Sequence, residues 1–394
     1  MIGVSRLYLG APESSDSLRY TNERERGPGG RARRPVVVWN TTARCNLDCV
    51  HCYADAATSC AGNELTTAEA GGFIEDLAAF GSPVLLFSGG EPLMRDDLFD
   101  LIRFAVSRGL RTVVSTNGTL IDDAAAARLK DAGAAYAGIS LDGMRETHDR
   151  FRGRAGAFDL ALEGFRACRR AGLKSGLRLT MTRANYADMD GIFDLIRAED
   201  IPRVCFYHLV YAGRGVALRE ADLTHAQTRE AVDRIIDFAA GECARGRRRE
   251  VLTVDNHCDG PFLYMRMRRE GNPRANEVLG MLRANGGNPS GIAIAGVNWD
   301  GTVYPDQFWR NRPLGNIRER AFSRIWSDDS IELLARLRNR ETWLDARCRG
   351  CRFLGACRGN FRARAESALG DAWACDPACY LTDEEIASGG DVER

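Results

Sequence analysis

The chain has 394 residues, 44% of them hydrophobic and 27% charged, with Lys+Arg and Asp+Glu balanced at 54 each. That length and composition suit one large domain plus a smaller appended one, and they exclude a disordered or fibrous chain. Zero net charge provides no whole-chain attraction for nucleic acid or an anionic membrane, so neither is expected as a partner.

In chain order, the opening MIGVSRLYLG is too short and polar for a secretory signal, and no later apolar run is long enough to span a membrane. A cytoplasmic protein is expected. Residues 1–34 are read as an N-terminal arm, irregular and polar from residue 11 onward. From residue 35 a rhythm begins, with β-rich runs at Val36–Trp39, Val84–Phe87, Thr112–Ser115, Ala137–Leu141, Leu177–Thr182 and Val204–Val210. Helical patterns separate them, such as Leu98, Leu101, Ile102 and Ala105 with Gly109 as a stop. Non-alternating strands between amphipathic helices predict a parallel α/β sheet, here an open barrel of (β/α)6 type over residues 35–243. Chemistry in such barrels collects at the C-terminal strand ends. Past residue 244 the rhythm is read as stopping. Residues 244–294 are expected to be a connecting, substrate-side segment, and 295–394 a second domain that opens on a hairpin turning at Asp300-Gly301.

Thirteen cysteines in a reducing compartment suggest metal more than disulfides. Cys45, Cys49 and Cys52 form CxxxCxxC just after the first predicted strand. Three thiolates can hold three irons of a [4Fe–4S] cluster and leave the fourth open for a chelating ligand. The amino and carboxylate groups of S-adenosylmethionine (SAM) are such a ligand. Zinc usually takes four ligands in paired CxxC units, and His51, adjacent to Cys52, is an awkward fourth.

These features resemble the radical SAM superfamily, and the resemblance runs along the whole barrel. It implies SAM contacts from His51, from Gly89, Gly90 and Glu91 in SGGEP, from Ser115 and Asn117 in STNG, from Ser140 and Asp142 in SLDG, and from Arg178. Cys348-x2-Cys351-x5-Cys357, with Cys375 and Cys379 beyond, resembles the SPASM extension. Full SPASM domains hold two auxiliary [4Fe–4S] clusters. Here Gly296, Asp306 and Phe361 stand where ligands of one of them would be. The resemblance therefore implies one auxiliary cluster, on Cys348, Cys351, Cys357 and Cys379, with Cys375 as the alternative and structural zinc as the competing reading. Cys60, Cys168, Cys205 and Cys243 are expected to be packed thiols, and Cys258 is left open.

PVVVWNTTARCNLDCVHCYA, HDRFRGRAGAFD, VCFYHLVYAGRG and VLTVDNHCDGPFLYM further resemble the haem-biosynthesis branch of radical SAM/SPASM enzymes. That branch includes the 12,18-didecarboxysiroheme deacetylases and the NirJ family. The resemblance implies an iron tetrapyrrole substrate, loss of acetate side chains to give Fe-coproporphyrin III, and a ferredoxin or flavodoxin reductant. The alternatives are NirJ-like chemistry on the propionates and modification of a peptide. Basic residues are arginine except for Lys130 and Lys174, which suits a carboxylate-rimmed substrate. Arg214 is the candidate carboxylate partner, with an exposed loop arginine as the equal alternative. Tyr207 and Tyr211 are candidate pocket walls, and His208 and His257 candidate macrocycle contacts, His208 being read more readily as a satisfied core histidine.

Overall fold

The computed structural model describes residues 1–13, 16–20, 34–57 and 62–387. Its strands are β1 (Ile2–Gly3), β2 (Val36–Asn40), β3 (Val84–Ser88), β4 (Arg111–Thr116), β5 (Tyr136–Ser140), β6 (Ser175–Met181), β7 (Arg203–His208), β8 (Glu250–Val254), β9 (Ile294–Val297), β10 (Thr302–Tyr304) and β11 (Gly315–Asn316). They form one sheet in the order β1-β8-β7-β6-β5-β4-β3-β2-β9-β10-β11. From β2 through β8 each strand pairs in parallel with the next, and β9 returns to pair in parallel with β2. The six predicted strands are β2 to β7.

Helices α1 (Val4–Leu9), α2 (Thr67–Phe80), α3 (Leu98–Ser107), α4 (Asp123–Asp131), α5 (Arg145–Arg152), α6 (Ala157–Arg170), α7 (Met189–Ala198), α8 (His225–Ala244), α9 (Asp259–Arg269) and α10 (Ala275–Asn285) lie between or beside the strands. Local chemistry sets their ends. Thr66 and Glu69 close a reciprocal capping box on α2, and Gly81 ends that helix in the left-handed region. The predicted stripe of α3 is fully buried. Helix stripes and strand residues share one apolar core, with Trp39 wedged between Phe73 and Phe87.

The rhythm does not stop at residue 244. Residues 250–254, within the expected connecting segment, form β8, which pairs with β7 through five registered residues. Its far edge is covered by β1, from within the expected N-terminal arm. Ile2, Val4 and Leu7 are buried there, and Ser5 Oγ donates to the Arg249 carbonyl just before β8 and accepts from Val251 N within it. At the other edge β9 and β10 make the predicted hairpin, with Gly301 at φ 87° in its turn. Cys168 and Cys205 are packed as expected, Cys243 is exposed instead, and Cys60 lies outside the described residues.

Candidate active site

One cleft opens at the C-terminal ends of the parallel strands. Cys45, Cys49, His51 and Cys52 line one part of it, with Gly89, Gly90, Ser115, Asn117, Ser140, Asp142, Arg178, Tyr207 and His208 from successive strand ends. The cysteine loop is seated by backbone contacts. Gly90 and Glu91 donate to the carbonyls of Thr42 and Arg44, and Cys45 donates to Ala57. A Cβ at Gly90 would lie 2.0 Å from the Arg44 carbonyl oxygen, so no larger residue fits this approach.

The motif side chains hold one another. Glu91 is fully buried and accepts from Thr116 Oγ1 (2.8 Å), Asn117 N (2.8 Å) and Leu93 N (3.2 Å). It braces the strand end and does not line the cleft. Burial raises its carboxyl to about 7. Asn117 donates to Asn46 Oδ1 in the cysteine loop (2.8 Å). Arg178 donates to Tyr207 Oη (2.9 Å) and to Ser115 Oγ. Asp142 pairs with Arg152, accepts from Thr180 N, and lies 3.4 Å from His51 Nε2. Burial lowers His51 to about 4, so its ring is neutral, and its Nδ1 has no partner within the protein. Burial likewise pushes the Cys45 thiol up to about 12 and raises Cys49.

Three predicted substrate-side residues, Arg214, His257 and Tyr211, lie outside the cleft. Arg214 does not face the mouth: it donates to the carbonyls of Cys49 (2.8 Å) and Ala56 (3.0 Å), bracing the cysteine loop from behind. His257 is buried outside the cleft, against the Met1 amine (3.0 Å), with its backbone donating to Asn360. Tyr211 donates to Asp222. His208 lines the cleft and bonds Asp259 (2.8 Å), which also accepts from Tyr380, so it is hydrogen-bonded into the junction with the C-terminal segment. The sequence reading missed Tyr53, Arg152, Asp255, Gln307 and Phe308, which also line the cleft. The only sequence sign of Asp255 was the polar DNHCDG following a β-rich run.

The C-terminal cysteines gather against the barrel. Arg347 donates to Cys375 (3.5 Å) and Cys379 (3.4 Å), and the Cys375 thiol also contacts that of Cys348. Cys351 accepts from Phe353 N. Cys258, left open by the sequence, is fully buried at the start of α9 and contacts the thiols of Cys357 and Cys379. The positions that lack cysteine are filled. Asp306 accepts from Ser290 Oγ, Phe308 N and Trp309 N. A Cβ at Gly296 would lie 2.6 Å from the Asp306 carbonyl oxygen. Phe361 packs on Phe308 at 5.7 Å within an apolar cluster that includes Trp309 and Val210.

Residues 39–196 match the Radical SAM superfamily, and residues 291–352 match SPASM, an iron–sulfur cluster-binding domain. The chain is 54% identical to a Fe-coproporphyrin III synthase of Methanosarcina barkeri, over 98% of this chain and 99% of that protein. It is 41% identical to a pre-heme d1 synthase of Dinoroseobacter shibae, over 92% and 90%. Among solved structures, native anSMEcpe with bound AdoMet superposes with a TM-score of 0.67 at 18% identity, covering 88% of this chain and 93% of that one. A barrel with cysteines at its mouth and an iron–sulfur extension defines a radical SAM/SPASM enzyme. The chain belongs to the radical SAM superfamily, in the haem-biosynthesis branch that carries the SPASM extension. It is a [4Fe–4S] and SAM enzyme with an auxiliary iron–sulfur domain. Among the described residues, no helix is long and apolar enough to cross a membrane.

Proposed function

We propose that this enzyme removes acetate side chains from 12,18-didecarboxysiroheme to give Fe-coproporphyrin III. The observation that carries the reading is the near-full-length 54% identity to a Fe-coproporphyrin III synthase. Cys45, Cys49 and Cys52 hold the SAM-cleaving cluster. The donor set fits it: three thiols line one cleft, and burial keeps each of Cys45 and Cys49 from ionising unless a cationic centre takes the sulfur. Bound there with SAM, the cluster supplies the electron that yields methionine and a 5′-deoxyadenosyl radical.

The protein's own residues orient and enclose. His51, neutral and with a free Nδ1, is placed to accept from the adenine amine. Ser115, Ser140, Asp142 and Arg178 offer polar groups to the ribose and methionine of SAM. Glu91 serves by holding Asn117 rather than by touching SAM. Tyr53, Phe308 and Val210 form an apolar wall suited to a macrocycle face, and Gln307 and Asp255, each with an unpartnered side-chain oxygen, line the same cleft. A small redox protein, ferredoxin or flavodoxin, delivers the electron. Cys348, Cys351, Cys357 and Cys379 hold one auxiliary cluster. The filled positions at Gly296, Asp306 and Phe361 argue against a second.

Anaerobic reconstitution followed by incubation with didecarboxysiroheme, SAM and reductant tests the reading. Mass spectrometry should show loss of two acetates. Oxo-group formation instead would favour propionate replacement, the reading supported by the 41% identity to a pre-heme d1 synthase. An unchanged macrocycle would sink both. Cys45→Ala should abolish 5′-deoxyadenosine formation, and retained turnover would refute the cluster assignment.

A further inference from the structure

Arg152 occupies an unusual place. It ends α5, is 7% exposed, and donates through Nη1 to Cys49 Sγ at 3.4 Å. Its Nη2 pairs with Asp142, which is 1% exposed, and its Nε has no partner within the protein. The same helix end grips the cysteine loop by its backbone. Asp48 N donates to the Arg152 carbonyl (3.2 Å) and Val50 N to that of Phe151 (3.0 Å). Gly153 turns away in the left-handed region, and a Cβ there would lie 2.7 Å from the Asp48 carbonyl oxygen. The Phe151 ring packs on His51 at 5.3 Å. Helix α5 therefore contacts Cys49, the residues beside it, and the histidine before Cys52.

We propose that Arg152 is a positioning residue that sets the redox poise of the SAM-cleaving cluster, holding the Cys49 thiolate by a charged hydrogen bond and coupling it through Asp142 to His51. This rests on the reading that Cys45, Cys49 and Cys52 hold that cluster. The physical reason is that reduction adds negative charge to a cluster and its thiolates. A hydrogen bond to a ligand sulfur, or a nearby positive charge, stabilises the reduced form and raises the potential. Guanidinium keeps its charge at any working pH, so the effect does not titrate away. Asp142 opposes it: it orients the guanidinium fork and offsets part of its charge. His51 and His148, also nearby, are held neutral by burial and add no competing charge. Glu91 also acts electrostatically on Arg152 and Cys45, with its own hydrogen bonds spent on Thr116, Asn117 and Leu93.

The test is an EPR-monitored redox titration of the whole reconstituted enzyme, following the [4Fe–4S] signal that changes shape when SAM is added. A wild-type enzyme with no SAM-responsive signal would overturn the cluster assignment itself, and this inference with it. Given that signal, Arg152→Gln should titrate at a more negative midpoint potential, Arg152→Lys between the two, and Asp142→Asn at a less negative one. An Arg152→Gln protein that keeps its iron and titrates with wild type overturns the proposal and leaves the cluster assignment intact. Should Arg152→Gln bind no cluster, Asp142→Asn decides: an upward shift supports the proposal and an unchanged midpoint overturns it.

Discussion

Asp255 follows strand β8 with a left-handed backbone, φ 66°, and lines the cleft with its buried Oδ2 unpartnered. Strain of this kind in a residue other than glycine costs on the order of 1–3 kcal/mol and tends to persist at working sites. Burial raises the Asp255 carboxyl from 3.8 to about 6. The folded protein therefore binds the proton more tightly than the unfolded chain does. The associated stability is fully present below the unfolded value and is lost as pH rises to about 6, reaching about 3 kcal/mol in all. Asp255→Asn has no charge to bury. Its denaturation midpoint should exceed that of wild type by more at pH 8 than at pH 5, by about 1 kcal/mol in free energy; equal gains would mean that Asp255 is solvated. At this scale the sequence was readable wherever spacing is local. CxxxCxxC, GGEP and STNG are each a short contiguous stretch, and their residues meet because a single loop or strand end presents them. Arg214 and His257 were misplaced because a side chain's direction depends on what packs behind it. Arg214 finds the carbonyls of the cysteine loop, and His257 finds the chain's first residue.

The strands from β2 to β7 were legible because each is an apolar run bounded by an amphipathic helix, a pattern the parallel sheet requires. Strand β8 was not, since EVLTV follows a run of arginines and its apolar neighbours come from β7 and β1. Strand β1 is two residues long and has no local signal at all; only its partner makes it a strand. Among the described glycines, the closest approach of backbone to backbone is Gly90 of the GGEP turn on the cysteine loop. Gly90→Ala would drive a methyl into the Arg44 carbonyl, 2.0 Å from the ideal Cβ. Overpacking against backbone costs about 1–3 kcal/mol and must be relieved by moving the loop. We expect Gly90→Ala to lower iron retained after reconstitution, with the far-ultraviolet circular dichroism unchanged. A variant with wild-type iron would show that the loop tolerates the shift.

At the scale of the whole molecule, the C-terminal segment packs against the cleft end of the barrel and carries its own thiols. Gln307 and Phe308 reach the cleft, Tyr380 bonds Asp259 beneath His208, and the buried Arg364–Asp376 pair ties the segment to the carbonyls of Leu209 and Asp255. Removing one partner of such a pair costs about 3–5 kcal/mol, so the two halves should behave as one cooperative unit. The seam is also where the resemblance to full SPASM domains would put a further cluster. The seam is instead packed with Trp309, Phe308 and Phe361, and the Asp306 carboxylate is consumed by three internal donors. A cubane there would need this packing undone. The reconstituted enzyme should therefore carry about eight irons per chain, four for each of two clusters. The triple substitution of Cys45, Cys49 and Cys52 by alanine should leave about four, with sulfide in equal amount. Cys379→Ala in that background should remove most of the remainder, whereas Cys375→Ala should not. About twelve irons in the parent protein would place a cluster in the aromatic seam. A single zinc per triple variant, with no sulfide, would make the C-terminal thiols a structural zinc site.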